Sequence, residues 1–304
     1  MKYIEWLNTW LSIYVKPTVK SQTYMRYEHI AKTHLARGLG EYELDELSAL
    51  LLQKFVVSLS EEKHLASNTV NSIITVIQKS LQVAVNVGVV TAEYSNKIQR
   101  PKTVEKAVES FSEKEQKEIE AFVLKNQKNS KLFGIILCLY SGLRIGELLA
   151  LKWEDIDFSR GIMTISRSCH DEYKDGKLLK VYDTPKTKTS IRTIPIPKQI
   201  IPHLKQIKKK SDSEYVVSDK NDIGIRSYQK TFECILRKLH IPRKGFHALR
   251  HTFATRAIEC GMDVKTLSEI LGHKNPEITL KRYAHSMLEH KAEMMNIVGK
   301  KLFQ

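Results

Sequence analysis

Forty-one residues near the carboxyl end, Gly245 to His285, constrain the fold most tightly. They read GFHALRHTFATRAIECGMDVKTLSEILGHKNPEITLKRYAH. Apolar residues at helical spacing are cut by a Leu-Gly corner at Leu271-Gly272 and again by Asn275-Pro276, so the segment cannot be one long helix. It must fold as short helices with sharp corners. Those corners gather four polar residues. His247 and Arg250 stand at i and i+3, on one helix face. His273 directly follows the first corner, and Tyr283 comes ten residues later, on a helix that starts after the second.

The chemistry of the four is complementary. Arginine grips phosphate through a planar fork of donors, histidine moves protons near neutral pH, and tyrosine can act as a covalent nucleophile. The order His247-Ala-Leu-Arg250, then Gly272-His273, then Tyr283 resembles the boxes of the tyrosine recombinase (phage integrase) family. A further box upstream, Ser141-Gly142-Leu143-Arg144-Ile145-Gly146-Glu147-Leu148, matches the position of that family's first arginine. HxxR alone occurs by chance; three boxes in order at this spacing form a specific signal. The resemblance covers residues 111–285 and, more loosely, the whole chain.

The resemblance implies site-specific DNA strand exchange through a 3′-phosphotyrosyl link. Tyr283 would be the nucleophile, Arg144 and Arg250 the phosphate clamps, and His247 the acid/base toward the tyrosine. His273 would hydrogen-bond the phosphate, and Lys186 would protonate the leaving 5′-oxygen. Glu147 would support the site, with a purely structural role nearly as well motivated. The resemblance requires no cofactor and no metal. It implies double-stranded DNA as partner, a homotetramer on two DNA sites, and a directionality factor as a further candidate partner. Many integrases of mobile elements begin with an extra arm-binding domain. This chain enters a helical region almost at Met1, closer to the short Xer-like layout.

Charge supports a polyanionic partner. Forty-nine Lys and Arg oppose 34 Asp and Glu, a net of +15, with a pI near 9.5. No apolar run approaches the ~18 residues of a membrane span, and MKYIEWLNTW lacks a signal-peptide core. Nucleic acid is therefore favoured over a membrane surface. Cys138, Cys169, Cys234 and Cys260 form no CxxC pair, which fits a reducing, cytoplasmic setting. Cys138 reads as a buried small hydrophobe.

Along the chain, apolar spacing predicts helices over 3–14, about 18–36, 49–59 and 67–88, the last with Ser67 as N-cap. Together they form a helical core-type DNA-binding domain, 1–104. Lys20, Arg26 and Lys32 are its candidate DNA contacts, because six of its nine acids cluster in Glu41–Glu62. A polar stretch from Arg100 to Glu109 reads as a linker. Ser112 with Glu115 then forms a capping box that opens a catalytic domain, 105–304. In that domain Phe133–Tyr140 is a buried helix and Arg144 begins the next. Residues 161–196 read as about three antiparallel strands turning at Asp175-Gly176, and helices resume near Ser227. The expected class is mainly α with a small antiparallel β-sheet. The apolar tail after Tyr283 would serve protomer exchange.

Each candidate has a plainer alternative. Arg144 could merely pair with Glu147. Lys188 competes with Lys186 from two residues away, and His273 could simply cap its turn. His251 and Arg256 read as neighbours of the box rather than members. His247, His251, Cys260, His273 and His285 match no common zinc pattern. At the level of function, a type IB-like topoisomerase and a non-cutting DNA-binding relative are the alternatives. Plasmid relaxation and covalent-adduct assays separate them.

Overall fold

The computed structural model describes residues 1–92, 94–103, 108–126, 129–174, 177–183, 191–218, 222–273, 275–283 and 287–303. The chain divides into two compact units, Met1–Lys106 and Ala107–Gln304.

The first unit is helical. Helix α1 (Tyr3–Thr9) continues through a wider π turn, Trp10–Val15. Helix α2 (Ser21–Ile30) likewise passes through a π turn, Ala31–Leu35, into α3 (Ala36–Gly38). Helices α4 (Ala49–Glu61) and α5 (Ser67–Asn86) complete the unit. The N-cap of α5 is Ala66, so Ser67 is its first helical residue rather than its cap. One face of α5 sets the core, with Val70, Ile73, Ile74, Ile77 and Leu81 buried against Trp6, Trp10, Leu35 and Leu52. Ser80 on α5 is used twice, once through its buried hydroxyl and once through its carbonyl. The Tyr3 hydroxyl lies 2.8 Å from Ser80 Oγ, and the Trp6 indole N–H donates to the Ser80 carbonyl at 3.0 Å. These bonds fasten α1 to α5 and pair the buried polar groups of Tyr3, Trp6 and Ser80. Lys20, Arg26 and Lys32 are exposed on and beside α2, and Lys32 pairs with Glu28 at 2.9 Å.

The second unit opens with α6 (Glu113–Lys125), capped by Ser112. The Glu115 N–H donates to Ser112 Oγ, and the Ser112 N–H donates back to Glu115 Oε2. Helix α7 (Ser130–Ser141) is the hub, buried from Phe133 to Leu139, with Cys138 among its fully buried residues. Helix α8 (Ile145–Ala150) follows after a corner.

The β region is larger than the sequence suggested. Strands β1 (Ile156–Asp157), β2 (Ile162–Ile165) and β5 (Arg192–Pro195) form one antiparallel sheet in the order β1-β2-β5. Strands β3 (Ser168–Lys174) and β4 (Lys177–Asp183) form a second, two-stranded one. The expected single sheet is thus two sheets. Ser-Cys-His-Asp-Glu-Tyr-Lys of β3 lacks apolar alternation, and its pairing with β4 supplies what its sequence does not signal. The turn at Asp175-Gly176 lies outside the described residues.

Helix α9 (Ile201–Lys208) precedes α10 (Ile225–Lys238), so helices resume earlier than Ser227. Then come α11 (His247–Glu259), α12 (Val264–Leu271), α13 (Pro276–Tyr283) and α14 (Met287–Leu302). Among the described residues no helix is long and apolar enough to cross a membrane.

Candidate active site

Two glycine corners build the site. Helix α7 ends at Gly142 with φ +64°, and α12 ends at Gly272 with φ +64°. Both lie in the left-handed region that glycine adopts without a steric penalty. Space is also short there. A Cβ on Gly142 would stand 2.6 Å from Phe253 Cδ1, and one on Gly272 would stand 2.9 Å from Arg192 Nη1.

Helix ends leave carbonyls without intrahelical partners, and the helix dipole makes them partly negative. Here arginines take those positions. Arg250, on α11 and only 2% exposed, donates from Nη1 to the Gly142 carbonyl and from Nη2 to the Leu271 carbonyl, each at 2.7 Å. Arg144, the N-cap of α8, donates from Nη2 to the Gly272 carbonyl at 3.2 Å. The corners of α7 and α12, far apart in sequence, are thereby joined through two guanidiniums.

Glu147 holds this cluster from below. Its Oε1 accepts from Arg144 Nη1 at 2.8 Å, and its Oε2 accepts from the Arg144 backbone N–H at 2.9 Å. Arg192, at the start of β5, forks onto the same carboxylate at 3.1 and 2.9 Å, and its Nε donates to the Ile270 carbonyl at 2.7 Å. Burial alone would push the Glu147 carboxyl up. The hydrogen bonds and charge of Arg192, then the charge of Arg144, outweigh burial and hold it at about 2. Arg250 moves the other way. Burial and the neighbouring Arg144 push its guanidinium down to about 9, and Glu147 opposes them, so it stays charged at neutral pH.

The remaining groups lie around these arginines. His247 and His251 stand one turn apart on α11, with ring centroids 4.5 Å apart and edge to face at 87°. Tyr283, at the end of α13, is 1% exposed and packs with Ala254, Ala257, Ile258, Leu267 and Leu271. Its hydroxyl lies 2.6 Å from His251 Nδ1 and within electrostatic reach of Arg250. His273 Nδ1 lies 2.6 Å from Thr279 Oγ1, which ties the Gly272 corner to α13.

The structure therefore gathers Arg144, Glu147, Arg250, His247, His273 and Tyr283 around two helix corners. Lys186 and its competitor Lys188 lie outside the described residues. Sequence reasoning missed Arg192 and set His251 aside. Arg192 did carry a signal, since it is in phase with Ile194 on the buried face of β5. A charged residue in phase with core residues predicts a buried ion pair. Among the described residues no group of three or more His, Cys, Asp or Glu is arranged to hold a metal ion. The arrangement suits an anion with several oxygens, held by two arginines with a tyrosine hydroxyl nearby.

Comparison with known families settles the class. The phage integrase family matches residues 109–290, and its N-terminal SAM-like domain matches residues 3–60. This chain belongs to the phage integrase family. A tyrosine recombinase XerC-like protein of Caldanaerobacter subterraneus subsp. tengcongensis is 31% identical, over 96% of this chain and 81% of the relative. The ICEBs1 integrase of Bacillus subtilis is 26% identical, over 90% of this chain and 77% of its own length. In fold, the chain resembles the Tn1549 transposon integrase solved with transposon right end DNA. The TM-score is 0.82 at 21% identity, over 98% of this chain and all of that one. A lambda integrase dimer bound to a core site also resembles it, with a TM-score of 0.71 at 17% identity, over 93% and 77%. As a member of this family the chain is a site-specific tyrosine recombinase, an enzyme that cleaves and rejoins DNA.

Proposed function

We propose that Tyr283 attacks the scissile phosphate while Arg144 and Arg250 hold its non-bridging oxygens. The observation that carries this reading is the joining of both arginines to two helix corners, with Tyr283 packed against Leu271 at the second. Attack forms a bond from the Tyr283 oxygen to phosphorus and breaks the bond to the 5′-oxygen. The products are a 3′-phosphotyrosyl link and a free 5′-hydroxyl. The link conserves the phosphodiester bond energy, so religation to a second strand needs no nucleotide hydrolysis, and the two guanidiniums supply the positive charge the transition state demands. His273, whose Nδ1 is tied to Thr279, donates to the phosphate in this reading, a role the family resemblance supports. Lys186 is assigned protonation of the leaving oxygen, a role the family resemblance supports. Glu147 and Arg192 fix the clamp from below.

Within this reading residues 1–104 embrace DNA as a core-type binding domain, with Lys20, Arg26 and Lys32 contacting phosphates. Four protomers act on two double-stranded sites. Exposed apolar residues at the end of the chain support that assembly, because Leu302, the last residue of α14, is 77% exposed and Phe303 beyond it 96% exposed in the single chain. Contiguous apolar exposure of this kind marks an interaction surface, and a head-to-tail exchange of such helices closes into a ring. Integration or excision of a mobile element fits the ICEBs1 integrase among its relatives, with direction set by an accessory factor.

The decisive experiment uses a nicked duplex that loses a short fragment after cleavage and so traps protein on DNA. The wild type is expected to form a denaturant-resistant adduct in the presence of chelator. Tyr283→Phe should bind the same DNA and form none; an adduct persisting in that variant would move the nucleophile elsewhere.

A further inference from the structure

The family resemblance assigns proton transfer at the tyrosine to His247, yet the imidazole nitrogen standing 2.6 Å from the Tyr283 hydroxyl belongs to His251. We propose that His251 is the base that takes the phenolic proton, and that His247 sets the orientation of the His251 ring. The proposal rests on the reading of Tyr283 as nucleophile.

Three observations converge. A phenol has an ordinary pKa of about 10, so at neutral pH the attacking oxygen must lose its proton as it attacks. Tyr283 is 1% exposed, which keeps bulk solvent from accepting that proton and leaves it to a neighbouring group. Nδ1 of His251 already shares a hydrogen bond with the hydroxyl, within the reach a general base needs. The ring is held edge-on by His247 one turn earlier on the same helix, at 4.5 Å between centroids. Helix α11 thus presents two functions from consecutive residues. Arg250 turns toward the carbonyls of Gly142 and Leu271, and His251 turns toward α13. Successive helical residues project about 100° apart, so one rigid helix can place a phosphate clamp and a base on adjoining sides.

The step balances. The Oη–H bond of Tyr283 breaks and an Nδ1–H bond forms on His251. Oη bonds to phosphorus as the bond to the 5′-oxygen breaks, and that oxygen takes a proton from the acid of the site. Religation runs the sequence backwards, with the His251 proton returning to the phenol. No electron is gained or lost.

The test measures single-turnover adduct formation on the nicked duplex, with DNA binding followed separately. His251→Gly should bind DNA normally and form adduct at least 100-fold more slowly. Free imidazole should restore the rate at least tenfold in a saturable manner, by filling the space the ring vacated. His251→Gln keeps a hydrogen-bonding side chain but cannot carry the proton, so it should be as slow as His251→Gly. Wild-type rate in His251→Gln would show that the contact only positions the tyrosine and would overturn the proposal. So would normal DNA binding by His251→Gly with a slow rate that imidazole leaves unchanged. If His251→Gly fails to bind DNA, the His251→Gln rate decides. Tyr283→Phe separates the two readings. An adduct in that variant removes the nucleophile assignment and His251 with it, whereas its loss, alongside unimpaired His251 variants, removes only the base.

Discussion

Glu147 carries two arginines on one buried carboxylate, and that arrangement makes a single residue decisive. Replacing it with glutamine leaves Arg192 buried with its charge uncompensated. Removing one partner of a buried ion pair costs on the order of 3 kcal/mol, so Glu147→Gln should lower the urea midpoint at neutral pH by about 1–3 M, that cost divided by a urea m-value of about 1–3 kcal/mol/M. The sign of the pH effect follows from the depressed carboxyl. A group held at about 2 in the fold, against an ordinary value near 4.5, contributes its stability fully above the ordinary value. It loses that contribution as pH falls toward 2. The gap in urea midpoint between wild type and Glu147→Gln should therefore close across that window, and a gap constant from pH 6 to pH 2 would refute the ion-pair account. The candidate residues Arg144, His247, Arg250, His273 and Tyr283 were legible as ordered boxes through their resemblance to the family pattern. Arg192 carried a signal only through its phase with Ile194, and an arginine in so short a strand is easily taken for a solvated cation. His251 was passed over for a different reason. The HxxR spacing drew attention to His247, while the contact with Tyr283 depends on how α13 packs against α11, which no local pattern encodes.

The elements follow the same division. Long amphipathic helices such as α4, α5 and α7 announce themselves by period. Helix α9 escaped because Pro202 reads as a breaker, although it sits in the first turn, where the missing N–H is no loss. The two sheets were compressed into one because β1 is only two residues long and β3 is polar. At the corners, backbone conformation matters more than side-chain chemistry. Gly142→Ala must force a side chain into the left-handed region, at roughly 1–2 kcal/mol, and must displace Phe253 and Leu271 as well. It also moves the carbonyl on which Arg250 rests. We expect the variant to unfold at lower urea and, once folded, to form covalent adduct more slowly than wild type while binding DNA with near-normal affinity. Equal adduct rates would show that the corner serves folding alone.

For the molecule as a whole, the net charge of +15 sets the terms of DNA binding. Each phosphate neutralised releases condensed counterion, so the logarithm of affinity should fall linearly with the logarithm of salt, with a slope near −0.9 per phosphate contact. An affinity nearly flat between 50 and 200 mM salt, on the scale over which such proteins lose about a thousandfold or more, would contradict a phosphate-dominated interface. The exposed end of α14 makes a separate claim. Removing residues 287–304 should leave binding to a single site intact and impair recombination between two, read by gel shift and by product formation on paired substrates. Full recombination by the shortened chain would assign the tail no part in assembly.

The joining of the two glycine corners has a consequence for the chain during its own synthesis. Arg144 finds its carbonyl partner 128 residues further on, and Arg250 draws one partner from 108 residues back and the other from 21 ahead. A nascent polypeptide that has emerged only as far as α11 contains both arginines but not the carbonyls of Leu271 and Gly272, and Tyr283 is later still. The two arginines therefore reach these carbonyl partners only when nearly the last helices have left the ribosome. If Tyr283 is the nucleophile proposed above, a product of interrupted translation that ends before it cannot form the covalent link.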